Sequence, residues 1–376
     1  MSIFTTFYKY YLKWYRTIEK DILGCFFILF FISIILVSST SPVIAGKIGV
    51  VEHYFVLRQI LYLITAFFIM IVFSLFDGTF IKRLSIIGFI GCILLLILVK
   101  ISGYEIKGAK RWINIMGFSM QPTEFLKPFL SVIFGWFLSI REEQNKLSLS
   151  LITIIYALVA LLVITQPDLG MLVIITACLL IQLFVSGIPI ILVILSIVFA
   201  AMGLLLSYLF LPHVTERMNS FLFPQGHENY QVTKSLQAFD RGGFFGTGPG
   251  EGHVKELLPD SHCDFIFAVS GEELGIIACL IIVLTFAFLI IKFLLKLIRV
   301  SDKFKIITIV GLLSQIALQS IINMGVTLNL LPTKGMTLPF VSYGGSATIA
   351  MAINIGFLLS FTRKKLSYNY RDYGIL

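Results

Sequence analysis

Ten stretches of this chain stay apolar for close to the length a helix needs to cross a lipid bilayer, roughly 20 residues, and no other feature constrains the fold as strongly. They lie near residues 22–39, 54–76, 84–101, 122–140, 148–165, 168–186, 188–211, 264–291, 306–327 and 343–361. In hydrocarbon a backbone must satisfy its own hydrogen bonds, so runs of this kind fold as helices rather than open sheet. The expected fold class is therefore an all-α integral membrane protein, with about ten transmembrane helices and a large extracytoplasmic loop between the seventh and eighth. Hydrophobic residues at 58% against 13% charged residues argue equally against a soluble core.

The net charge of +9 comes from basic residues scattered through short loops, a membrane-orientation pattern and not a nucleic-acid stripe. An even number of spans puts both termini on one side. With the termini inside, the inner segments hold 17 of the 29 Lys and Arg residues, which makes both termini cytoplasmic. Residues 1–376 then read as a single polytopic membrane domain, with a cytoplasmic N-terminal segment 1–21, an extracytoplasmic loop 212–263 and a cytoplasmic tail 362–376. No small-residue cleavage site follows Val37, so the first apolar run reads as a retained span. Four of the five cysteines (Cys25, Cys92, Cys178, Cys279) fall inside apolar runs, where a thiol acts as a small hydrophobe, and no disulfide framework or zinc site is implied.

Ionisable residues in or beside spans are costly and are functional candidates for that reason. Asp264 stands where the long polar segment becomes an apolar helix, placed to meet a substrate with one end in lipid and the other in water. It would also suit a helix N-cap. Glu272 and Glu273 lie roughly 12 Å deeper if that helix is continuous, at about 1.5 Å per residue, and would need a polar cavity beside Asp264. Arg58 lies a few residues into the second span, near the outer surface, where snorkelling is the competing reading.

In Gln121-Pro122-Thr123-Glu124-Phe125-Leu126-Lys127-Pro128, Glu124 and Lys127 share one helix face, as a structural ion pair or as the wall of an outward-opening polar pocket; the pocket is the reading carried forward. Asp168 in Gln166-Pro167-Asp168-Leu169-Gly170 reads alone as a helix cap. Six glycines between Gly242 and Gly252 make either a flexible loop or a nest of N–H groups for a phosphate, helped by Arg217, Arg241 or Lys255. Lys255 and Glu256 follow as further loop candidates. Near the last span, Pro332, Gly335 and Pro339 form a rigid re-entry holding Lys334, and Ser342 and Ser346 flank the glycines Gly344 and Gly345, which allow close helix packing.

Together, GAKRWI, QPTE, QPDLG, YQ with SLQA, LPDSHCDFIF, GEELG and SYGGS, in this order from about Arg58 to Ser346, resemble the SEDS family of membrane-embedded peptidoglycan glycosyltransferases. The segment Pro332 to Phe340 resembles the FtsW, or division, branch more than the RodA, or elongation, branch. Thr123 stands where the family usually has Ser. Cys263 stands where Thr usually precedes the key Asp, which alters the hydrogen bonding open to that residue.

The resemblance implies polymerisation of lipid II, the lipid-linked disaccharide-pentapeptide, into glycan strands at the outer face of the bacterial cytoplasmic membrane, at the division septum. Asp264 matches the family's essential acid and would act as general base. Lys334 and Arg217 match outer-side positions suited to the leaving pyrophosphate. Arg58, Glu124, Lys127 and Asp168 match positions around the family's lipid cavity. No dedicated metal site or certain cofactor is implied, although a divalent cation (Mg or Mn) shared with the pyrophosphate fits the chemistry. Implied partners are lipid II and undecaprenyl-linked glycan, a class B penicillin-binding protein of the FtsI transpeptidase type, and the FtsQ, FtsL and FtsB divisome proteins. The competing class is a lipid II flippase, which would present its site to both faces of the membrane.

Overall fold

A computed structural model describes residues 19–106, 109–115, 117–140, 145–223 and 230–363. Most of the expected segment 1–21 and tail 362–376, the orienting residues Lys9, Lys13, Arg16 and Arg141, and Gly108 of GAKRWI lie outside the described residues.

The apolar runs form helices, as the bilayer requires. In chain order these are α1 (Lys20–Ile48), α2 (Tyr54–Leu75), α3 (Gly78–Ser102), α4 (Pro122–Ser139), α5 (Asn145–Ile164), α6 (Leu169–Val185), α7 (Ile190–Phe210), α8 (Pro212–Leu222), α9 (Tyr230–Gly242), α10 (Val254–Leu257), α11 (Ile266–Leu297), α12 (Lys303–Thr327) and α13 (Gly345–Thr362). Eight of them are long and apolar enough to cross a membrane among the described residues. Of the other two expected spans, α4 is diluted by Glu124 and Lys127, and α6 has 17 residues. The protein is a multi-pass, mostly helical membrane protein.

Among the described residues one region is built of strands. Between α3 and α4 the chain forms a small antiparallel meander, β1 (Tyr104–Ile106), β2 (Ala109–Ile115) and β3 (Phe118–Met120), in the order β1-β2-β3. Gly117, at φ 84°, makes the β2–β3 turn, and its N–H donates to Asn114 Oδ1 at 2.8 Å.

The centre of the bundle is α4, α12 and α13, with α2 packed on α13, α3 on α4 and α6 on α12. Small residues allow this approach. A Cβ on Gly345 would lie 2.6 Å from the Tyr62 ring, and one on Gly356 would lie 2.6 Å from Phe73. By contrast α7 packs chiefly on its chain neighbours α6 and α8 among the described residues, and most of it faces outward. At the inner end Lys292 pairs with Asp21 at 2.8 Å and Lys296 with Glu19 at 3.3 Å, tying α11 to α1.

Helix α11 departs from expectation, because it is broken. Gly275 sits at φ 76°, ψ −175°, inside what would otherwise be one continuous helix. A break at membrane depth leaves backbone groups that water cannot reach. The glycine-rich stretch meets them: the N–H groups of Thr247 and Gly248 donate to the carbonyls of Glu272 (2.9 Å) and Glu273 (3.0 Å), and the N–H of Ile276 donates to Gly243 O at 3.0 Å. The glycines are needed for contact, since a Cβ on Gly246 would lie 2.1 Å from Glu273 O and one on Gly275 would lie 2.4 Å from Phe244 O. Two donors of the stretch, Thr247 and Gly248, are thus spent on α11, while the N–H groups of Gly243, Gly246 and Glu251 bond to nearby carbonyls of Phe239, Gly242 and Gly248.

The two carboxylates at the break are met in the same way. Glu272 accepts from the N–H groups of Val254 (2.7 Å) and Lys255 (2.9 Å), at the start of α10. Glu273 pairs with Lys255 Nζ at 2.5 Å and accepts from Ser39 of α1. The expected polar cavity beside these acids is replaced by protein. The loop enters the bundle and brings its own donors.

Gly275→Ala should therefore cost about 2 kcal/mol or more, through both the positive φ and the lost contact, and lower the thermal midpoint of the purified protein by several degrees. Lys255→Met strands a buried carboxylate and should cost roughly 3–5 kcal/mol. Lys255→Met combined with Glu273→Met should recover most of that loss in the same melting experiment.

Candidate functional site

The chain segment before α11 is fixed by three carbonyl contacts. His262 O accepts from Tyr343 N–H at 2.9 Å, Cys263 O from Ser342 Oγ at 2.6 Å, and Asp264 O from Asn323 Nδ2 at 2.9 Å. Asn323 Nδ2 also reaches Met336 O at 2.5 Å. The segment carrying Asp264 and the re-entry carrying Lys334 are thereby clamped together by one amide on α12. The Asp264 carboxylate lies over Gly335, where a Cβ would stand only 2.7 Å from its Oδ2. Glycine at 335 keeps that space open.

Beside Asp264 stands a group of cations. Lys334 Nζ is 3.1 Å from Asp168 Oδ1, and Asp168 in turn accepts from Gln121 Nε2 at 3.0 Å and caps α6 through Met171 N–H at 3.4 Å. Gly170 makes room for the lysine, since a Cβ there would overlap it. Arg111, on β2, donates from Nε to Gln166 O at 3.1 Å and from a second nitrogen to Pro167 O. Arg217, on α8, lies within electrostatic reach of Arg111, Asp168 and Asp264. Three cations from three separate parts of the chain thus gather around Asp168, with Asp264 alongside.

The charges perturb one another. Burial pulls the Lys334 ammonium below its ordinary value, with Arg111 and Arg217 adding to that, while Asp168 opposes it. Desolvation alone would raise the Asp168 carboxyl, but Lys334 and Arg111 outweigh it and hold the group below 3.8. Desolvation and the neighbouring Arg111 likewise pull Arg217 down. The cluster is short of negative charge, which is the condition for binding an anion such as a diphosphate.

Glu124 and Lys127 are placed one layer deeper. They pair at 2.7 Å, both buried, and Lys127 Nζ donates to Gln319 Oε1 at 2.8 Å. Gln319 Nε2 then donates to Thr337 O at 3.1 Å. The pair therefore supports the Lys334 re-entry through Gln319, and Lys127 also lines a small cavity with Ser131, Gln182 and Gln315.

Ser342 Oγ, which also accepts from Leu338 N–H at 2.7 Å, is a second clamp. Ser346 is buried at the start of α13. Lys255 is committed to Glu273, and Glu256 is exposed, with its carbonyl taken by Lys47 Nζ at 2.7 Å, so neither loop candidate joins the cluster. Arg58 donates to Gly117 O at 3.2 Å and lies 4.6 Å from the Tyr54 ring centroid.

Sequence reasoning missed Arg111 and Asn323. The first stood in the GAKRWI motif without a role, and the second was a polar residue in an apolar span. Among the described residues no group of three or more His, Cys, Asp or Glu side chains is gathered around a common point. The donor set here is cationic, so a divalent cation would fit only as a companion of a bound diphosphate.

A family model described as cell cycle proteins, the FtsW, RodA and SpoVE family, matches residues 20–367. The chain belongs to that family. It is 34% identical over 354 residues to a protein of Caulobacter vibrioides named as a probable peptidoglycan glycosyltransferase FtsW, covering 94% of this chain and 91% of that one. It is 36% identical over 355 residues to the protein of that name from Buchnera aphidicola, covering 91% and 92%. Among solved structures, a chain of a peptidoglycan synthase complex that coordinates polymerization and crosslinking has the same fold, with a TM-score of 0.76 at 21% identity, over 92% of this chain and 97% of that one. RodA of Thermus thermophilus also shares it, with a TM-score of 0.66 at 21% identity, over 92% and 96%.

Asp168, just outside α6, has its folded value depressed, so its ionisation contributes stability that is full above 3.8 and is lost as pH falls through the lowered folded value. The difference in thermal midpoint between wild type and Asp168→Asn should be constant near neutral pH and shrink below that point.

Proposed function

We propose that this protein is a peptidoglycan glycosyltransferase that polymerises lipid II at the outer face of the bacterial cytoplasmic membrane during septal wall synthesis. The observation that carries this reading is the Asp264 carboxylate over Gly335, with Lys334, Arg111 and Arg217 gathered beside it in a chain of this family. Ten crossings, both termini cytoplasmic, are part of the proposal. So are a class B penicillin-binding protein of the FtsI type as partner, and contacts with FtsQ, FtsL and FtsB. The name of the Caulobacter relative and the synthase complex of like fold support the activity and the pairing with a transpeptidase.

In the proposed reaction Asp264 accepts the proton of the acceptor sugar's 4-hydroxyl. The oxygen attacks the anomeric carbon of the lipid-linked strand, a new glycosidic C–O bond forms with inversion, and the bond from that carbon to the phosphate oxygen breaks. The electron pair leaves with undecaprenyl pyrophosphate, whose growing charge meets Lys334, Arg111 and Arg217. Asp168 keeps the Lys334 ammonium aimed at that position. Protonated Asp264 then returns its proton to water.

A flippase would need a comparable site at both ends. At the inner end the ion pairs of Lys292 with Asp21 and Lys296 with Glu19 join helices to each other, which favours the transferase.

With purified protein, its transpeptidase partner and labelled lipid II, wild type should yield glycan strands on a gel. Asp264→Asn should lower turnover by roughly 10² to 10⁴ while leaving the protein folded; near-normal strands from that variant would overturn the assignment. Because burial lowers the Lys334 value, the alkaline limb of turnover should lie below the ordinary lysine range, and Lys334→Arg should move it upward.

A further inference from the structure

At the end of the bundle away from Asp264, basic side chains gather around the turn between α2 and α3, and the proposed reaction does not use them. Helix α12 spans the distance: Asn323, near one end, holds Asp264, and Lys305, near the other, lies roughly 27 Å away at 1.5 Å per residue. Lys82, in the first turns of α3, has its Nζ 4.8 Å from the Trp136 ring centroid and 4.9 Å from that of Phe304. Phe304 meets Phe361 at 5.6 Å between centroids. Gly78 lies against both Phe361 and Lys305, since a Cβ there would stand 3.1 Å from the Phe361 ring and 3.9 Å from Lys305 Cε. Arg363, just past α13, donates to Ser74 O at 3.4 Å, and Arg83 stands exposed beside Lys82 in the chain. The start of α3, the start of α12 and the end of α13 thus bring four cations to one corner.

The protein treats these cations differently from others at the same end. Lys292 and Lys296 are each paired with an acid at the start of α1, whereas no ion pair among the described residues takes Lys82, Arg83, Lys305 or Arg363. Asp77 and Asp302, the acids close in sequence, cap α3 and α12 through the N–H groups of Phe80 (3.1 Å) and Phe304 (3.0 Å). The two rings beside Lys82 steady its ammonium but supply no full counter-charge. Arg83 also lies on an outward stripe of α3: Phe80, Ile87, Ile90 and Leu94 are exposed, and helical spacing puts them on its face. In a membrane span such a stripe faces acyl chains.

We propose that this corner binds the headgroup phosphate of an anionic phospholipid, with Arg83, Lys305 and Arg363 meeting the phosphate, Lys82 adding to the field, and an acyl chain lying along the outward face of α3. Basic groups gathered between helices at a membrane surface are what such headgroups recognise. The site is more than the bias of basic loops that orients a membrane protein, because that bias is carried by scattered charges and asks for no arrangement among them. It stands independently of the transferase reading.

The test is native mass spectrometry of the purified full chain in detergent, titrated with phosphatidylglycerol or with phosphatidylcholine of the same acyl chains. Wild type should retain phosphatidylglycerol several-fold more tightly. Lys305→Gln should weaken that binding roughly fivefold, and Arg83→Gln added to it should weaken it further by about the same factor, as each charge near a headgroup contributes. Phosphatidylcholine binding should not change, and Arg83→Lys with Lys305→Arg should keep the wild-type preference. Arg299→Gln removes one charge from the same end outside the corner and should alter binding less than about twofold. Equal retention of the two lipids by wild type would overturn the site, a comparison that needs no variant to fold. So would an equal loss in Arg299→Gln, which would mark a diffuse attraction. Displacement of phosphatidylglycerol by millimolar inorganic phosphate would also overturn it, in favour of a site for the free anion.

Discussion

The break in α11 at Gly275 is the constraint on which the outer half of the molecule depends. A helix interrupted in hydrocarbon exposes carbonyls and N–H groups at a cost of several kcal/mol each unless protein answers them. Here the answer comes from a polar, glycine-rich segment that would otherwise have no reason to enter the bundle. Once Thr247 and Gly248 are bonded to Glu272 and Glu273, Lys255 follows them in, and the carboxylates become fixed points. The start of α11, and with it Asp264, inherits its position from that arrangement.

A second set of contacts fixes what faces Asp264. The amide of Asn323 joins the Asp264 and Met336 carbonyls, Ser342 joins Cys263 to Leu338, and the pair Glu124–Lys127 supports Thr337 through Gln319. These contacts are polar and lie inside a bundle whose neighbours are apolar, so each unmade bond would be expensive. Such a frame can hold Lys334 close to Asp168 while leaving the space over Gly335 open. If the proposed transfer occurs here, rigidity around Asp264 and Lys334, rather than the number of groups, is what would make the cationic cluster useful to a leaving diphosphate.

The helices were legible in the sequence because the bilayer imposes a single length and a single hydrogen-bonding solution. Asp264 and Lys334 were legible as polar residues at the water end of apolar runs. The roles of Glu124 and Lys127 were half legible: their helical spacing gave the ion pair, while their depth behind the re-entry did not follow from spacing. The meander after α3 was hidden because three short strands carry little periodicity. The packing of the glycine-rich stretch on α11 was not legible, since its composition suits a loop or an anion nest equally well and says nothing of a distant helix break.

What the sequence determined by itself is therefore the membrane class, the positions of most spans and the chemical types available at one end of the bundle. Those follow from local composition and from the cost of burying charge. Tertiary structure alone decided that Lys255 serves Glu273 and that Arg111 and Arg217 join Lys334. Each of those pairings joins residues far apart in the chain, and which donor reaches which acceptor is set by how the helices pack, a property that no window of sequence contains.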